Sequence, residues 1–438
     1  MNADIRPIRT AAETALGDMF ARLRADLPGG ETARRLRDAA FASIAAKGLP
    51  NRRVEDWKYT DLRALMRDAR PVADAPGAAE LDAARALLPL GEADARRIVF
   101  VNGRLAPTLS DIDVVEPGLS VAPLAVALAG DAASALALKG VAAENAVVAL
   151  NTAFVADGLV IAVADGAEVA RPIHVVNIQV GAPHASYGRV LVSIGKGGSF
   201  TLIESHVGDG AGHQTNTLIG IDLAEEASAT VVKLQDEGLG TLHLATIAAR
   251  LGAKSRFTSA KLATGAAAAR QQIYLDFAGD KANAEVLGAG LAGGKRHLDT
   301  TLVVDHGTVG CSSRELFKTA LDGEARSVFQ GRIVVRPGAQ KTDGKMMANA
   351  LLLSENAEAD AKPELEIFAD DVVCGHGATV GALDDELLFY LMARGIPRKE
   401  AEALMVQAFV GEALEPIEDE ALRGALMARA VRWLRERD

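Results

Sequence analysis

The sequence has few cysteines, few aromatic residues and no long unbroken apolar run. Its two cysteines, Cys311 and Cys374, cannot supply a disulfide framework. Because the chain begins with MNADIRPIRTAAET, which has no apolar signal core, we expect a reducing, cytoplasmic location. The most apolar stretch, residues 141–163, is interrupted by four polar or acidic residues. We therefore expect no membrane span.

The sequence also lacks an excess of basic residues. Its 47 lysines and arginines are outnumbered by 58 acids, which gives a net charge of −11. Phosphate backbones bind basic surfaces, and single strands also need aromatic stacking platforms. With aromatics at only 4%, nucleic acid is not expected to be a partner.

The chain does have enough apolar residues for a large core. Near its beginning, these residues recur at the spacing of an amphipathic helix. Its 438 residues are 49% hydrophobic, which allows two or three domains. Apolar spacing predicts helices from Ala11 to Leu27 and from Glu31 to Lys47, with glycines after each. We assign an N-terminal helical domain to residues 1–96.

Short strands dominate the next part of the chain. The run Ile98 to Val101 leads into Asn102-Gly103, a strong hairpin-turn pair. More than 200 residues of short apolar runs follow without helix-length periods, which excludes a doubly wound sheet and leaves a sandwich, a barrel or a solenoid. Length favours the solenoid, although no fixed repeat period is visible. We assign this mainly β core to residues 97–382.

Helical patterns return in a C-terminal helical domain, residues 383–438. Asp384 and Asp385 can cap a helix from Glu386 to Arg394, and Gly395 ends it. The next predicted helix carries an apolar stripe made of Ala401, Leu404, Met405, Ala408 and Phe409. Such stripes are usually part of the intramolecular core.

The run Cys374-Gly375-His376 places a thiol and an imidazole two residues apart. In a strand this spacing puts both side chains on one face, and both are ordinary metal ligands. They make only half of a four-ligand zinc or iron-sulfur site. The residues alone therefore indicate a site shared with another chain, or a cysteine packed as a small hydrophobe.

Other candidate motifs fail on their context. Residues 288–293, GAGLAG, match a dinucleotide-binding glycine pattern, but a strand pattern follows where a helix is required. Lys295 is followed by Arg296 where a phosphate loop needs Ser or Thr. We therefore predict no nucleotide site in this chain. The chain also carries a group of imidazoles and carboxylates that we interpret as polar residues on a solvated sheet face: His297, Asp299, Asp305 and His306.

Several stretches together resemble one known family. Residues 363–381, PELEIFADDVVCGHGATVG, and residues 387–396, LLFYLMARGI, resemble the signature of the SufB/SufD family of iron-sulfur cluster assembly proteins. Residues 329–331 (FQG) and 340–343 (QKTD) match the same pattern. Residues 51–65, NRRVEDWKYTDLRAL, are similar to the SufD branch of that family.

The resemblance implies a fold and a role. The fold would be a right-handed parallel β-helix (solenoid) flanked by helical domains. The chain would be a non-enzymatic scaffold subunit that works with SufB and the ATPase SufC, with a homodimer possible in isolation. Cys374 and His376 would help hold a transient iron-sulfur cluster shared with SufB at their interface. The resemblance also implies a SufC-docking surface at Phe389, Tyr390, Arg394 and Gly395.

Three other interpretations remain open at this point. The chain could be a structural adaptor between SufB and SufC, with Cys374 in the core. It could be the SufB paralogue, although a cluster-bearing scaffold should be richer in cysteine. A β-helix carbohydrate enzyme would need paired acids in a groove, and Asp370 and Asp371 are adjacent, so they would face opposite sides of a strand.

Overall fold

The computed structural model describes residues 9–91, 93–112, 116–129, 136–137 and 145–437. Four helices precede the first strand: α1 (Ala11–Leu23), α2 (Glu31–Lys47), α3 (Leu62–Leu65) and α4 (Ala78–Ala86). Thr10 begins α1 with a capping box, because its hydroxyl accepts from the Glu13 amide and the Glu13 carboxylate accepts from the Thr10 amide. The prediction for α2 is confirmed, whereas α1 ends at Leu23, before the predicted Leu27.

The predicted hairpin opens the β region. Strand β1 (Arg96–Val101) pairs antiparallel with β2 (Arg104–Leu105). Asn102 and Gly103 both have positive φ, 53° and 77°, as the two central residues of this tight turn require. The turn prediction is confirmed.

Long parallel strands then alternate between two sheets. The remaining strands are β3 (Leu119–Pro123), β4 (Asp157–Val163), β5 (Ile173–Gln179), β6 (Ala185–Ile194), β7 (Ser199–Gly208), β8 (Gln214–Leu223), β9 (Ser228–Asp236), β10 (Leu242–Leu251), β11 (Arg256–Ala263), β12 (Ala268–Phe277), β13 (Asn283–Ala292), β14 (His297–His306), β15 (Ser312–Leu321), β16 (Arg326–Val335), β17 (Asp343–Leu352), β18 (Glu358–Ile367) and β19 (Val373–Gly381). One sheet has the order β19-β17-β15-β13-β11-β9-β7-β5-β1-β2, and the other has the order β18-β16-β14-β12-β10-β8-β6-β4-β3. Each odd-numbered strand from β5 onward pairs with the next odd-numbered strand, and each even-numbered strand from β4 onward with the next even-numbered one. The chain is thus a parallel β-solenoid, and the predicted β-helix class is confirmed.

Side chains of the same register stack along the solenoid axis. One interior row contains Ile219, Ile247, Ile273 and Leu302, which occupy matching positions on β8, β10, β12 and β14. Each is at most 2% exposed. At about 25 cal/mol per Å² of apolar surface, such rows supply the driving force that holds successive turns together.

The glycines of residues 288–293 belong to this packed sheet. They lie in and just after β13, in the middle of the ten-stranded sheet. A Cβ on Gly288 would lie 2.6 Å from the Phe317 ring, so the missing side chain makes room for that ring. A strand in this position also lacks the helix start that a dinucleotide site needs.

The interpretation of Asp299 and His306 as residues of a solvated face is wrong. Asp299 is 2% exposed and His306 is fully buried. His306 stacks on Phe277, with ring centroids 4.2 Å apart, and Asp299 is covered by the segment around Trp57 and Thr60. Both reasons are tertiary, since His306 faces the solenoid interior and an N-terminal segment covers Asp299.

Two further local expectations are corrected. Asp370 and Asp371 lie in the turn between β18 and β19, not in a strand, so the argument from opposite strand faces does not apply. In the helix that carries the predicted apolar stripe, the fully buried residues are Ala401, Val406 and Val410, while Leu404 is 45% exposed. The face of that helix that carries Val406 and Val410 packs against the sheet.

The remaining helices lie beside and after the solenoid. They are α5 (Leu124–Ala129), α6 (Ala146–Phe154), α7 (Asp385–Met392), α8 (Arg398–Gly411) and α9 (Glu420–Glu436). Helices α8 and α9 pack on the ten-stranded sheet in one apolar cluster that includes Trp433 and Leu434. Within the described ranges, no helix is both long and apolar enough to cross a membrane.

Candidate functional site at the end of the solenoid

Cys374 and His376 lie on β19, which is the last strand of the ten-stranded sheet. Cys374 pairs in register with Gly344, and His376 with Met346. Met346 is 2% exposed and belongs to the solenoid core, so both positions continue interior rows to the last turn. Cys374 is half-buried against that core, and His376 is exposed. The thiol and the imidazole therefore lie where the solenoid interior ends.

The strands around this pair present open edges. Strand β19 has a sheet partner on one side only, and so does β18 in the other sheet. Large apolar side chains here are exposed to an unusual degree, with Val373 at 64%, Phe368 at 58% and Val380 at 51%. Unpaired strand edges with exposed apolar side chains are typical of surfaces that pair with another chain.

The glycine between Cys374 and His376 leaves the outer face open. A Cβ built on Gly375 would meet no atom of the described residues within 4 Å. The strand carries no bulk at this point, and a second backbone could approach it closely.

Electrostatics favour a protonated thiol in the isolated chain. Burial raises the pKa of Cys374, and the negative charges of Asp343 and Glu315 raise it further, while a backbone hydrogen bond at Gly344 opposes them. Because the thiolate is the metal-binding form, a metal or cluster must displace this proton. Positive charge brought by the metal itself would do so.

A buried carboxyl lies deeper in the same interior row. Glu315, Met346 and His376 occupy matching register positions on β15, β17 and β19. Glu315 is 2% exposed, and burial raises its pKa to about 8, against the weaker opposing effects of Ser313 and Arg314. No local pattern marks this carboxyl, because its relation to His376 exists only in the register of the strands.

The predicted docking residues form a second exposed surface. On α7 only Leu388 is buried, whereas Phe389 is 73% and Tyr390 51% exposed. The Arg394 guanidinium stacks over the Tyr390 ring at 3.6 Å from its centroid. Gly395 has a φ of 86° and ends the helical turn as a C-terminal glycine does. An exposed aromatic pair with an arginine is typical of a protein-binding hot spot.

Comparison with known proteins decides the family. The description "SUF system FeS cluster assembly, SufBD core domain" matches residues 176–409, and "SufBD protein N-terminal region" matches residues 11–175. The chain belongs to the SufBD family. The expected family is therefore confirmed, and this family assembles iron-sulfur clusters.

Individual relatives extend over most of the chain. It is 32% identical over 388 residues to iron-sulfur cluster assembly protein SufD of Escherichia coli, covering 87% of this chain and 88% of that one. It is 30% identical over 408 residues to a SufBD family protein of Synechocystis, covering 89% and 88%. A SufBD family protein of Mycobacterium tuberculosis is 32% identical over 269 residues, covering 60% of this chain and 67% of the relative. Similarity to a SufD over most of both chains supports the expected SufD branch within the SufBD family.

Proposed function

We propose that this SufBD family member is a SufD-like scaffold subunit that acts with SufB and the ATPase SufC. In this proposal Cys374 and His376 supply part of the ligand set for a nascent iron-sulfur cluster, which SufB completes across the β18/β19 edge. The location of the pair at the open end of the solenoid carries the proposal, because a thiol and an imidazole sealed in the core could not be shared. Thiolate and imidazole both suit iron.

A substitution series tests the ligand role. We expect Cys374→Ala and His376→Ala each to lower cluster content and cluster-forming activity of the complex at least ~10-fold, since each removes a ligand that no described neighbour replaces. Complex assembly should persist, because both residues contribute little buried area. The measurements are iron and sulfide content, the absorption spectrum of anaerobically purified complex, and co-purification of SufB and SufC.

Cys311→Ala is the matched control for the thiol. Cys311 is fully buried in the solenoid core, and its Sγ lies 3.4 Å from the Gly279 carbonyl oxygen. This variant should keep wild-type cluster content. Full cluster formation in both site variants, with intact complexes, would instead establish the structural adaptor and end the proposed ligand role.

The α7 surface is proposed to dock SufC. We expect Phe389→Ala to weaken SufC binding by about 10- to 100-fold, as loss of an exposed aromatic anchor does at an interface. Val126→Ala, a change at an equally exposed apolar residue of α5, should leave SufC affinity unchanged. Titration calorimetry with purified SufC measures both, and equal effects at the two positions would contradict docking at α7.

The same β18/β19 edge is the proposed contact for a second copy when SufB is absent. Strand edges and the exposed Phe368 and Val380 are available to either partner. Sedimentation of the isolated chain, with and without SufB, therefore reports whether one surface serves both associations. A homodimer that persists in the presence of excess SufB would contradict a shared surface.

A further inference from the structure

A group of buried imidazoles and carboxylates lies far from β19, at the corner where odd-numbered strands end and even-numbered strands begin. His206 is near the end of β7, Glu237 follows β9 directly, and His243 is the second residue of β10. Their exposed fractions are 0%, 2% and 1%. One ligand atom from each lies within 4.8 Å of those from the other two. The proposed function assigns no role to this group.

Glu237 and His243 are joined by a direct hydrogen bond. His243 Nδ1 lies 2.8 Å from Glu237 Oε1, and the Thr215 hydroxyl lies 3.1 Å from the same oxygen. Gln235 Nε2 donates to Glu237 Oε2 at 2.5 Å. These contacts hold the Glu237 carboxylate in one orientation. Side chains that bind metals are usually held in this way by neighbouring hydrogen bonds.

Two ring nitrogens in this group are unused. His206 Nδ1 and His243 Nε2 make no hydrogen bond to any described residue, whereas His206 Nε2 is 3.0 Å from Glu204 Oε1. The two rings lie edge to face, with centroids 4.6 Å apart. Unsatisfied buried polar atoms are costly and call for an explanation, and an unseen ion is one.

We propose that His206, Glu237 and His243 form a buried site for a divalent transition-metal ion of the zinc or ferrous class. Two imidazoles and one carboxylate are a ligand set that both ions accept. The ion would take the place of the hydrogen between His243 Nδ1 and Glu237 Oε1, and this hydrogen would move to His243 Nε2, which has no other partner. Ligand atoms around such an ion are roughly 3.3 Å apart, given bonds of about 2.0–2.1 Å, so rotations of these side chains by about an ångström close the site.

Space for a fourth ligand adjoins the group. A cavity of about 30 Å³ lies next to His243, Lys233 and Gln235. This volume is enough for at least one water molecule. A bound water completes four-coordination without further protein ligands.

The test uses the full chain with Cys374→Ala and His376→Ala already in place, so that metal held at β19 does not contribute. Protein refolded in Zn²⁺ or, without oxygen, in Fe²⁺ is assayed for bound metal and titrated against a chromophoric chelator. We expect one ion per chain in this background, and a loss of affinity of at least ~100-fold on further change of Glu237→Gln or His243→Gln.

His306→Gln is the matched control, because it removes another buried imidazole of the solenoid interior without touching the group. A second measurement needs no variant of the group, since saturating metal should raise the unfolding midpoint of the Cys374→Ala/His376→Ala chain. Substoichiometric metal with no rise in midpoint would overturn the site. Equal losses in His306→Gln and His243→Gln would also overturn it. Because the β19 ligands are absent throughout, failure here leaves the proposed scaffold function untouched.

Discussion

Asp299→Ala is expected to destabilise the folded chain by roughly 3–5 kcal/mol, the range for breaking a buried ion pair by removing one partner. Asp299 forms an ion pair with Arg270, and the side chains of the pair are 0% and 2% exposed. Arg270 also stacks on the Trp57 ring, 3.9 Å from its centroid, and donates to the Asp56 carbonyl at 2.7 Å. Without the carboxylate, a buried guanidinium loses its counter-ion. Urea unfolding of the full chain at neutral pH measures the loss.

Asp305→Ala is the internal comparison on the same strand. Asp305 also pairs with an arginine, but the Arg336 side chain is 50% exposed, and such pairs contribute about 0–1 kcal/mol. Equal destabilisation by the two substitutions would show that the Trp57 segment does not seal Arg270 from water. Replacing Arg270 by Met together with Asp299 by Leu should recover much of the loss, because no charge is then left buried.

The contacts of Trp57 explain why part of the sequence signature is N-terminal. Residues 51–65 are far from the solenoid in sequence, yet Trp57, Thr60 and Asp56 close over β12 and β14. Sequence reasoning could assign Trp57 to an anchoring role from its type alone. It could not assign Asp299 to the interior, because the residue that covers it is more than 230 positions away.

The β-solenoid class could be predicted only with the family resemblance, because local patterns alone left a sandwich, a barrel or a solenoid. The hairpin at Asn102-Gly103 and most apolar runs were readable from local patterns. The repeat was not, because turns differ in length: Leu242 pairs with Ala268, an advance of 26 residues, and Arg326 pairs with Glu358, an advance of 32. Because the corners between strands vary in length, the repeat has no constant number of residues, although the paired strands keep a regular register.

The candidate site divides in the same way. Cys374 and His376 could be found by residue type and spacing, since both features are local. Glu315 and the His206/Glu237/His243 group could not, because each depends on which strands become neighbours. The residues of the His206/Glu237/His243 group are spread along the sequence, and no short motif of closely spaced ligands marks them. Register is the physical information that a single sequence does not display.

Glu315→Gln should stabilise the chain in alkaline but not in acidic solution. Burial raises the pKa of Glu315 from its ordinary 4.5 to about 8, so the folded state keeps this carboxyl protonated where the unfolded state has released the proton. The stability contributed by the protonated form is complete below pH 4.5 and is lost as the pH rises toward 8. A neutral amide does not titrate, so the gain relative to the wild type should grow by about 1.4 kcal/mol for each pH unit between 4.5 and 8, to roughly 5 kcal/mol above pH 8.

The decisive quantity is the change of this gain with pH, because a buried amide has a desolvation cost of its own that is the same at every pH. Unfolding free energies of both proteins at about five pH values from 4 to 9 provide it. Glu355→Gln, a change at an exposed carboxylate in the turn before β18, should give a flat difference. A flat difference for Glu315→Gln as well would mean that water reaches this carboxyl. The interior row that ends at His376 would then be hydrated, and the Cys374 thiol would lose the low-dielectric surroundings that raise its pKa.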